Sequence, residues 1–351
     1  MPKQLAPSFA TIHPPREDWL ARAEAEEVID PQRQIVDAHV HLWHHGGHRY
    51  FLEEYARDIA ASGHRVEAAV YVECSNMYRA GGPEHLKPVG ETEFAVGQAA
   101  MADSGQYTSA QVARAIVGHA NLLLGAAVRE VLDAHLAAAN GRFRGVRYRA
   151  KWDVDSVIGG SGGEWSAAGP GIYRKSEFGQ GLDVLAAMGL SFDASIYHPQ
   201  IPDVTALARA HPQARISVVH TTTPLGQGSY AHDRAHHHAR FLTDLRELAS
   251  CPNVFMKLGG MVMQLGAFDY FNDPAPPTSL ELAGLWRPWI EPCLELFGAE
   301  RCMVESNFPV DKMGVPLRTV WNMFKHLTAG ASDDEKNAVF SGTARRFYRI
   351  D

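Results

Sequence analysis

The chain has 351 residues, 46% of them hydrophobic, and a formal net charge of −7. That length can bury a full core in one large α/β domain, and an acidic balance with no basic stripe argues against a nucleic-acid partner. The four cysteines (Cys74, Cys251, Cys293 and Cys302) lack Cys-x-x-Cys spacing, which argues against a cysteine zinc site or disulfide framework and fits reduced thiols in a cytoplasm.

Residues 1–34 read as an extension. Pro2, Pro7, Pro14, Pro15 and Pro31 break it, leaving room for one helix over about 17–28. Its Pro-rich, then acidic start lacks the apolar stretch of a signal peptide, and no apolar run in the chain reaches the ~18–20 residues of a membrane span. The expectation is a cytoplasmic protein with a small-molecule substrate and no membrane partner. The extension would also allow packing on a second copy, as a homodimer.

The first strand is expected over 35–41. Ile35-Val36-Asp37-Ala38-His39-Val40-His41-Leu42-Trp43 is largely apolar and is followed by the turn-forming His44, His45, Gly46 and Gly47. Residues two apart on a strand point to one side, so His39 and His41 would project together from its C-terminal end. Two imidazoles on a rigid strand suit a metal ion or a substrate carboxylate. With 18 histidines in the chain, the pair alone does not decide the matter.

Further strands are expected over 66–73, 114–118, 144–149, 190–196, 215–220, 253–258 and 301–306. Helical patterns lie between most of them, at 91–101, 127–138, 178–188, 202–210, 235–249 and 281–297, and 317–327, 332–340 and 342–348 close the chain. Eight strands alternating with helices predict a (β/α)₈ TIM barrel of class α/β over residues 35–351. A doubly wound open sheet is the runner-up, but its Gly-x-Gly-x-x-Gly turn is missing. Gly159-Gly160-Ser161-Gly162-Gly163 follows no strand and opens no helix, so it reads as a flexible loop.

Long inserts follow strand four (152–177, with Trp152, Trp165, Tyr173 and Arg174), strand six (221–238) and strand seven (259–280, with Met261, Met263, Phe268, Tyr270 and Phe271). All three fall on the C-terminal face, where long loops form lids or pocket walls. His236-His237-His238 in the second insert reads as a solvated loop or first helical turn. Met188, Met256, Met261 and Met263 read as packing or pocket lining.

Polar side chains mark the strand exits. Arg147 and Arg149 in strand four share a face, either to grip a carboxylate in the barrel mouth or as a solvent-facing edge. Glu73 ends strand two, as a binding-site carboxylate that orients His39 or His41 or as a simple core-edge group. Gln200 could bond substrate or cap the helix near Pro202. His119 could reach the mouth from strand three. His198, His220, Lys257, Glu305 and Asn307 stand at the ends of strands five to eight.

Asp37-Ala38-His39-Val40-His41, Tyr197-His198-Pro199-Gln200, Val219-His220-Thr221-Thr222-Thr223-Pro224-Leu225-Gly226, Asn253-Val254-Phe255-Met256-Lys257-Leu258-Gly259-Gly260 and Glu305-Ser306-Asn307-Phe308-Pro309-Val310-Asp311 occur in this order. Together they resemble the amidohydrolase superfamily, in the branch that holds pyrone-dicarboxylate lactonase and sugar-lactone lactonases. The resemblance covers about residues 33–351. It implies a barrel with the site at the strand C-termini. It also implies that His39, His41, His198 and His220 hold a divalent metal, zinc first, or, as in the metal-free lactonase, bind and polarise the substrate directly. The arginines of strand four would then take an anionic substrate group.

The resemblance also implies an acidic general base in a Gly-Ser-Asp-Trp-Pro pattern on strand eight. Here Asn307 stands in place of the aspartate, and Glu305 in place of the glycine. An amide takes no proton at neutral pH. Glu305 lies two residues earlier on the same side, where burial should raise its pKa unless a metal or lysine holds it ionised. Asp311 is a second carboxylate nearby. Glu305 therefore reads either as the relocated base, acting with His220, Lys257 and Asn307, or as a structural partner of Lys257. The function expected is hydrolysis of a small carboxylate-bearing substrate, a lactone first. The alternatives are a lyase (decarboxylase or hydratase) and a non-catalytic small-acid binding protein.

Overall fold

The strands fall on the eight expected runs: β1 (Ile35–Val40), β2 (Val66–Val72), β3 (Gln111–Gly118), β4 (Phe143–Arg149), β5 (Ser191–Ser195), β6 (Arg215–Val218), β7 (Val254–Leu258) and β8 (Cys302–Val304). The computed structural model describes residues 14–45, 47–155, 158, 169–262 and 270–351. All eight strands pair in parallel and in sequence order, as one sheet. The sheet curls back on itself: His41 N donates to Phe308 O at 2.8 Å, Asn307 N donates to His39 O at 3.0 Å, and Val40 bridges Phe308. This is the expected TIM barrel.

Helices α1 (Leu52–Ser62), α2 (Val89–Asp103), α3 (Val128–Ala138), α4 (Ser176–Ala187), α5 (Ile201–Ala210), α6 (Arg234–Ala249), α7 (Ser279–Phe297) and α8 (Leu317–Leu327) follow the strands in turn. The large core lies between strands and helices. A smaller cluster joins inward residues of β1–β3, such as Val36 and Val70, to Phe347 and Tyr348 near the C-terminus. Helix α1 was legible, although the expectation above passes over it. Leu52, Tyr55, Ala56 and Ile59 repeat at helical spacing, Glu54 accepts from Phe51 N at 2.8 Å, and Gly63 ends the helix at φ 72.

The expected 17–28 helix shrinks to Glu17–Leu20. Tertiary hydrogen bonds take over the rest of that stretch. Glu26 accepts from Ser279 N at 2.7 Å, Asn322 Nδ2 donates to Glu27 O at 2.8 Å, and Lys325 Nζ donates to Asp30 O at 2.7 Å. Arg16 and Trp19 donate to Phe271 O and Asp273 O, each at 2.8 Å. The described part of the extension thus lies on its own barrel, against the β7–α7 connection. Gly159-Gly160-Ser161-Gly162-Gly163, Trp165, Met263 and Phe268 lie outside the described residues. Met256 and Met261 are core, and His236-His237-His238 sit in the first turn of α6.

Candidate active site

Several hydrogen bonds join strands that are not neighbours, so they cross the barrel interior. Arg147 on β4 donates from Nε to Glu73 Oε1 beyond β2 at 2.8 Å. Lys257 on β7 donates to Asp193 Oδ2 on β5 and to Ala38 O on β1, both at 2.7 Å. His220, past the end of β6, reaches Glu305, past the end of β8. These side chains are all buried; the Lys257–Asp193 pair lies deeper, within β7 and β5, and Glu73, His220 and Glu305 stand just past the ends of their strands.

Three histidines meet there. The His39 ring centroid lies 4.8 Å from that of His41 and 4.6 Å from that of His220. Simple alternation does not explain His39, since Asp37, two residues earlier, accepts from Tyr55 Oη on α1 at 2.9 Å and from Ser306. Pairing of β1 with β2 shifts register between Asp37 and Val40, and such a shift re-aims side chains. Burial, together with the nearby cations Arg147, Lys257 and Lys151, holds all three imidazoles well below their usual pKa, so they are neutral.

Their proton positions follow from their partners. His41 Nδ1 faces Val72 O at 2.7 Å and must donate, leaving Nε2 as a lone pair. His39 Nε2 lies 3.2 Å from that atom and also 3.2 Å from Arg147 Nη1, a donor. Two lone pairs at this distance repel unless a cation or proton lies between them. A tetrahedral zinc with bonds of ~2.0–2.1 Å holds its nitrogens about 3.3 Å apart. His39, His220 and Glu305 also each offer an atom within 4.8 Å of the others. His39 Nδ1 and Glu305 Oε2 lie 3.0 Å apart without hydrogen-bond alignment, and both lack a hydrogen-bond partner among the described residues. The donor set fits a divalent ion, with Arg147 competing for one lone pair.

Glu305 Oε1 accepts from His220 N at 2.8 Å and from His220 Nδ1 at 2.6 Å. Burial pushes the Glu305 pKa up to about 7, against the downward pull of Lys257 and of the His220 N–H bond. Two glycines leave room for this pair. A Cβ on Gly260 (φ 62) would stand 2.1 Å from His220 Nδ1, and one on Gly259 (φ 138) 2.3 Å from Glu305 O. Asn307, at φ 55, donates from Nδ2 to Asp311 Oδ1 at 2.8 Å, while its buried Oδ1 has no partner among the described residues. Burial pushes the Asp311 pKa well up.

The structure departs from the sequence expectations at six residues. Glu305 does not pair with Lys257, whose ammonium is taken by Asp193 and Ala38 O. Neither Arg147 nor Arg149 is left for substrate alone, because both bond Glu73, Arg149 at 3.2 Å. Burial alone would raise the Glu73 pKa, but Arg149 and Arg147 hold it at about 2. Gln200 is not set out for substrate: its carboxamide accepts from Trp152 N and Tyr197 N at 3.1 Å and donates to Ala150 O at 2.7 Å, tying the ends of β4 and β5. His198 does not join the other three histidines. Its Nδ1 accepts from Leu225 N at 3.1 Å, and its ring packs against Tyr230, Phe241 and Trp289.

Other placements are additions. The His119 ring lies tilted against that of Tyr148, with centroids 5.8 Å apart. Asp193 was not anticipated, although a carboxylate in the middle of a strand expected to be buried was readable as one in need of a partner. Lys151, one residue past Ala150, was also passed over. Burial and the charges of Arg147 and Arg149 lower its pKa to about 7.

The amidohydrolase family model matches residues 36–350. The chain belongs to the amidohydrolase family. This amidohydrolase is 30% identical over 301 residues, 86% of each chain, to the uncharacterized protein y4mH of Sinorhizobium fredii. It is 29% identical over 175 residues to L-fucono-1,5-lactonase of Burkholderia ambifaria, a match that spans 48% of this chain and 53% of that enzyme. In fold it is similar to an amidohydrolase from Burkholderia multivorans with bound zinc, at TM-score 0.67 and 22% identity, over 91% of this chain and 100% of that one.

Proposed function

We propose that this amidohydrolase hydrolyses a small carboxylate-bearing substrate, a lactone first. The observation that carries this reading is the convergence of three neutral imidazoles and a carboxylate at the barrel mouth. The partial similarity to L-fucono-1,5-lactonase supports the lactone class. Water adds to the ester carbonyl carbon, the ring C–O bond breaks, and the ring oxygen leaves as the hydroxyl of a hydroxy acid.

His39 and His41 would hold a divalent ion, zinc first. Bound there, such an ion supplies Lewis-acid polarisation of the carbonyl and an acidified water. The rest falls to the chain itself. Two guanidinium groups share the single carboxylate of Glu73, so the β4 wall keeps a positive excess that draws an anionic substrate group. Asn307 cannot accept a proton, but its unpartnered Oδ1 can accept a hydrogen bond from the attacking water or a substrate hydroxyl. His220, protonated at Nδ1, keeps a lone pair on Nε2 and is the neutral base available for the water proton.

The test is turnover of a lactone panel that includes L-fucono-1,5-lactone and 2-pyrone-4,6-dicarboxylate, by protein stripped of metal and then reloaded with zinc. Zinc-dependent release of the hydroxy acid is expected. Carbon dioxide release from an aromatic acid, with no lactone turned over, would move the protein to the lyase class. Tight binding without turnover of any panel member would make it a small-acid binding protein.

A further inference from the structure

We propose that Glu305 is a positioning residue. Its Oε1 atom closes the backbone turn that carries His220 and pins that ring's proton on Nδ1. Only the use made of His220 Nε2 rests on the hydrolase reading; the positioning itself does not.

The backbone makes the first argument. His220, Thr221, Thr222 and Thr223 have φ values of 58, 48, 64 and 48. Four successive L-residues, three of them β-branched, are thus held in the left-handed region, which only over-determined surroundings sustain. The turn closes on itself through Thr223 N to His220 O at 2.7 Å. Outside support comes from Gly259 N donating to Thr221 Oγ1 at 3.1 Å, and from His198 N donating to Thr223 O at 3.4 Å. At the turn's first residue the support is Glu305, which takes the His220 main-chain N–H.

The ring makes the second argument. The same carboxylate oxygen takes His220 Nδ1 at 2.6 Å. A carboxylate there selects the Nδ1–H tautomer and leaves the opposite nitrogen as the lone pair. One oxygen therefore fixes both where the ring stands and which of its nitrogens can act.

The third argument is enclosure. A base must come within hydrogen-bond reach of the water it deprotonates. The Glu305 side chain has no solvent exposure, its Oε1 is engaged twice, and its Oε2 points at His39 Nδ1. Gly259 and Gly260 press against its backbone and against the His220 ring. The replacement of the family's glycine by Glu305 thus supplies a hold on His220 in place of the lost aspartate's proton chemistry.

The experiment uses full-length protein labelled with ¹⁵N-histidine and long-range ¹H–¹⁵N correlation, with His220 resonances assigned by their loss in His220→Asn. Wild type should show His220 as the Nδ1–H tautomer. Glu305→Gln keeps an acceptor oxygen and should preserve that tautomer, with kcat/KM for L-fucono-1,5-lactone within about tenfold of wild type. Glu305→Ala should give a tautomer mixture and lose kcat/KM by a thousandfold or more. Glu305→Asp withdraws the oxygen by one methylene and should also give a mixture, so it reads out the proposal if the alanine variant fails to fold. A His220 that stays wholly Nδ1–H in Glu305→Asp or Glu305→Ala overturns the proposal. So does a Glu305→Gln that is as inactive as Glu305→Ala while its His220 tautomer is unchanged, since that pattern belongs to a base. If no lactone is turned over by wild type, the hydrolase reading fails while the tautomer measurements still decide this one.

Discussion

On the β2–β4 side of the barrel mouth, Glu73 is clamped by Arg147 and Arg149 and held at about 2 in pKa. On the β6–β8 side, Glu305 faces imidazoles and is pushed up to about 7 by burial, and Asp311 is pushed up as well. The first side uses fixed opposite charges. The second uses a left-handed turn, two close-packed glycines and groups with little fixed charge. A carboxylate paired with guanidinium is locked in one protonation state across the physiological range. The second side instead offers neutral imidazole nitrogens with free lone pairs, which can take a metal ion or a water proton, and the chemistry is assigned there and the wall to the first.

The largest expected effect tests the locked side. Arg147→Ala leaves the buried Glu73 with Arg149 alone and should cost about 3–5 kcal/mol of stability, measured as a lower denaturant midpoint at unchanged slope. A loss near zero would show that the wall does not depend on this pair. The pH dependence of stability tests the same side. Glu73 is depressed below its ordinary value, so its stabilising contribution is present above about pH 4.5 and is lost as pH falls toward 2, an amount of roughly 3 kcal/mol. Glu73→Gln should flatten that acid limb in pH-dependent melts, and an unchanged limb would assign it to another carboxylate.

Smaller effects belong to the strained side. Gly260→Ala sets a methyl against His220 Nδ1 and should cost roughly 1–3 kcal/mol by overpacking, with a visible shift of the His220 resonances. Thr222→Gly should do the opposite and raise stability by roughly 0.5–1 kcal/mol, because it relieves a left-handed β-branched residue at a smaller entropic cost. The Thr222 hydroxyl is also buried without a partner among the described residues, so little is lost with it. A Thr222→Gly variant that melts lower would mean that the turn is not under strain.

The barrel was legible because its signal repeats: apolar runs of strand length alternate with amphipathic helices. The site was legible where a polar side chain ends such a run, as for His39, His41, His220 and Glu305. What the sequence hid depends on contacts between distant strands. Nothing in Lys257 itself reveals that Asp193, 64 residues earlier, takes its charge. Nothing in Gln200 reveals that backbone groups on two chain segments use its amide. His198 follows the same strand-end rule as His220, yet its ring turns to Tyr230 and Trp289 because the rule fixes position and not rotamer. Thr221-Thr222-Thr223 is β-branched and by propensity favours extended backbone, and its left-handed course rests on distant contacts of the turn with Glu305, Gly259 and His198.

Tyr348 has a consequence for the order in which the molecule can be completed. Its hydroxyl lies 2.9 Å from both oxygens of Asp193, and its ring lies 5.0 Å from the Lys257 ammonium. During synthesis on a ribosome, strands β1 to β8 are all made before residue 348 emerges, so the barrel's buried ion pair waits uncapped until then. Capping of that pair therefore has to await contacts across 155 residues of chain. Such long-range contacts slow folding and lengthen the time a nascent chain spends in need of protection.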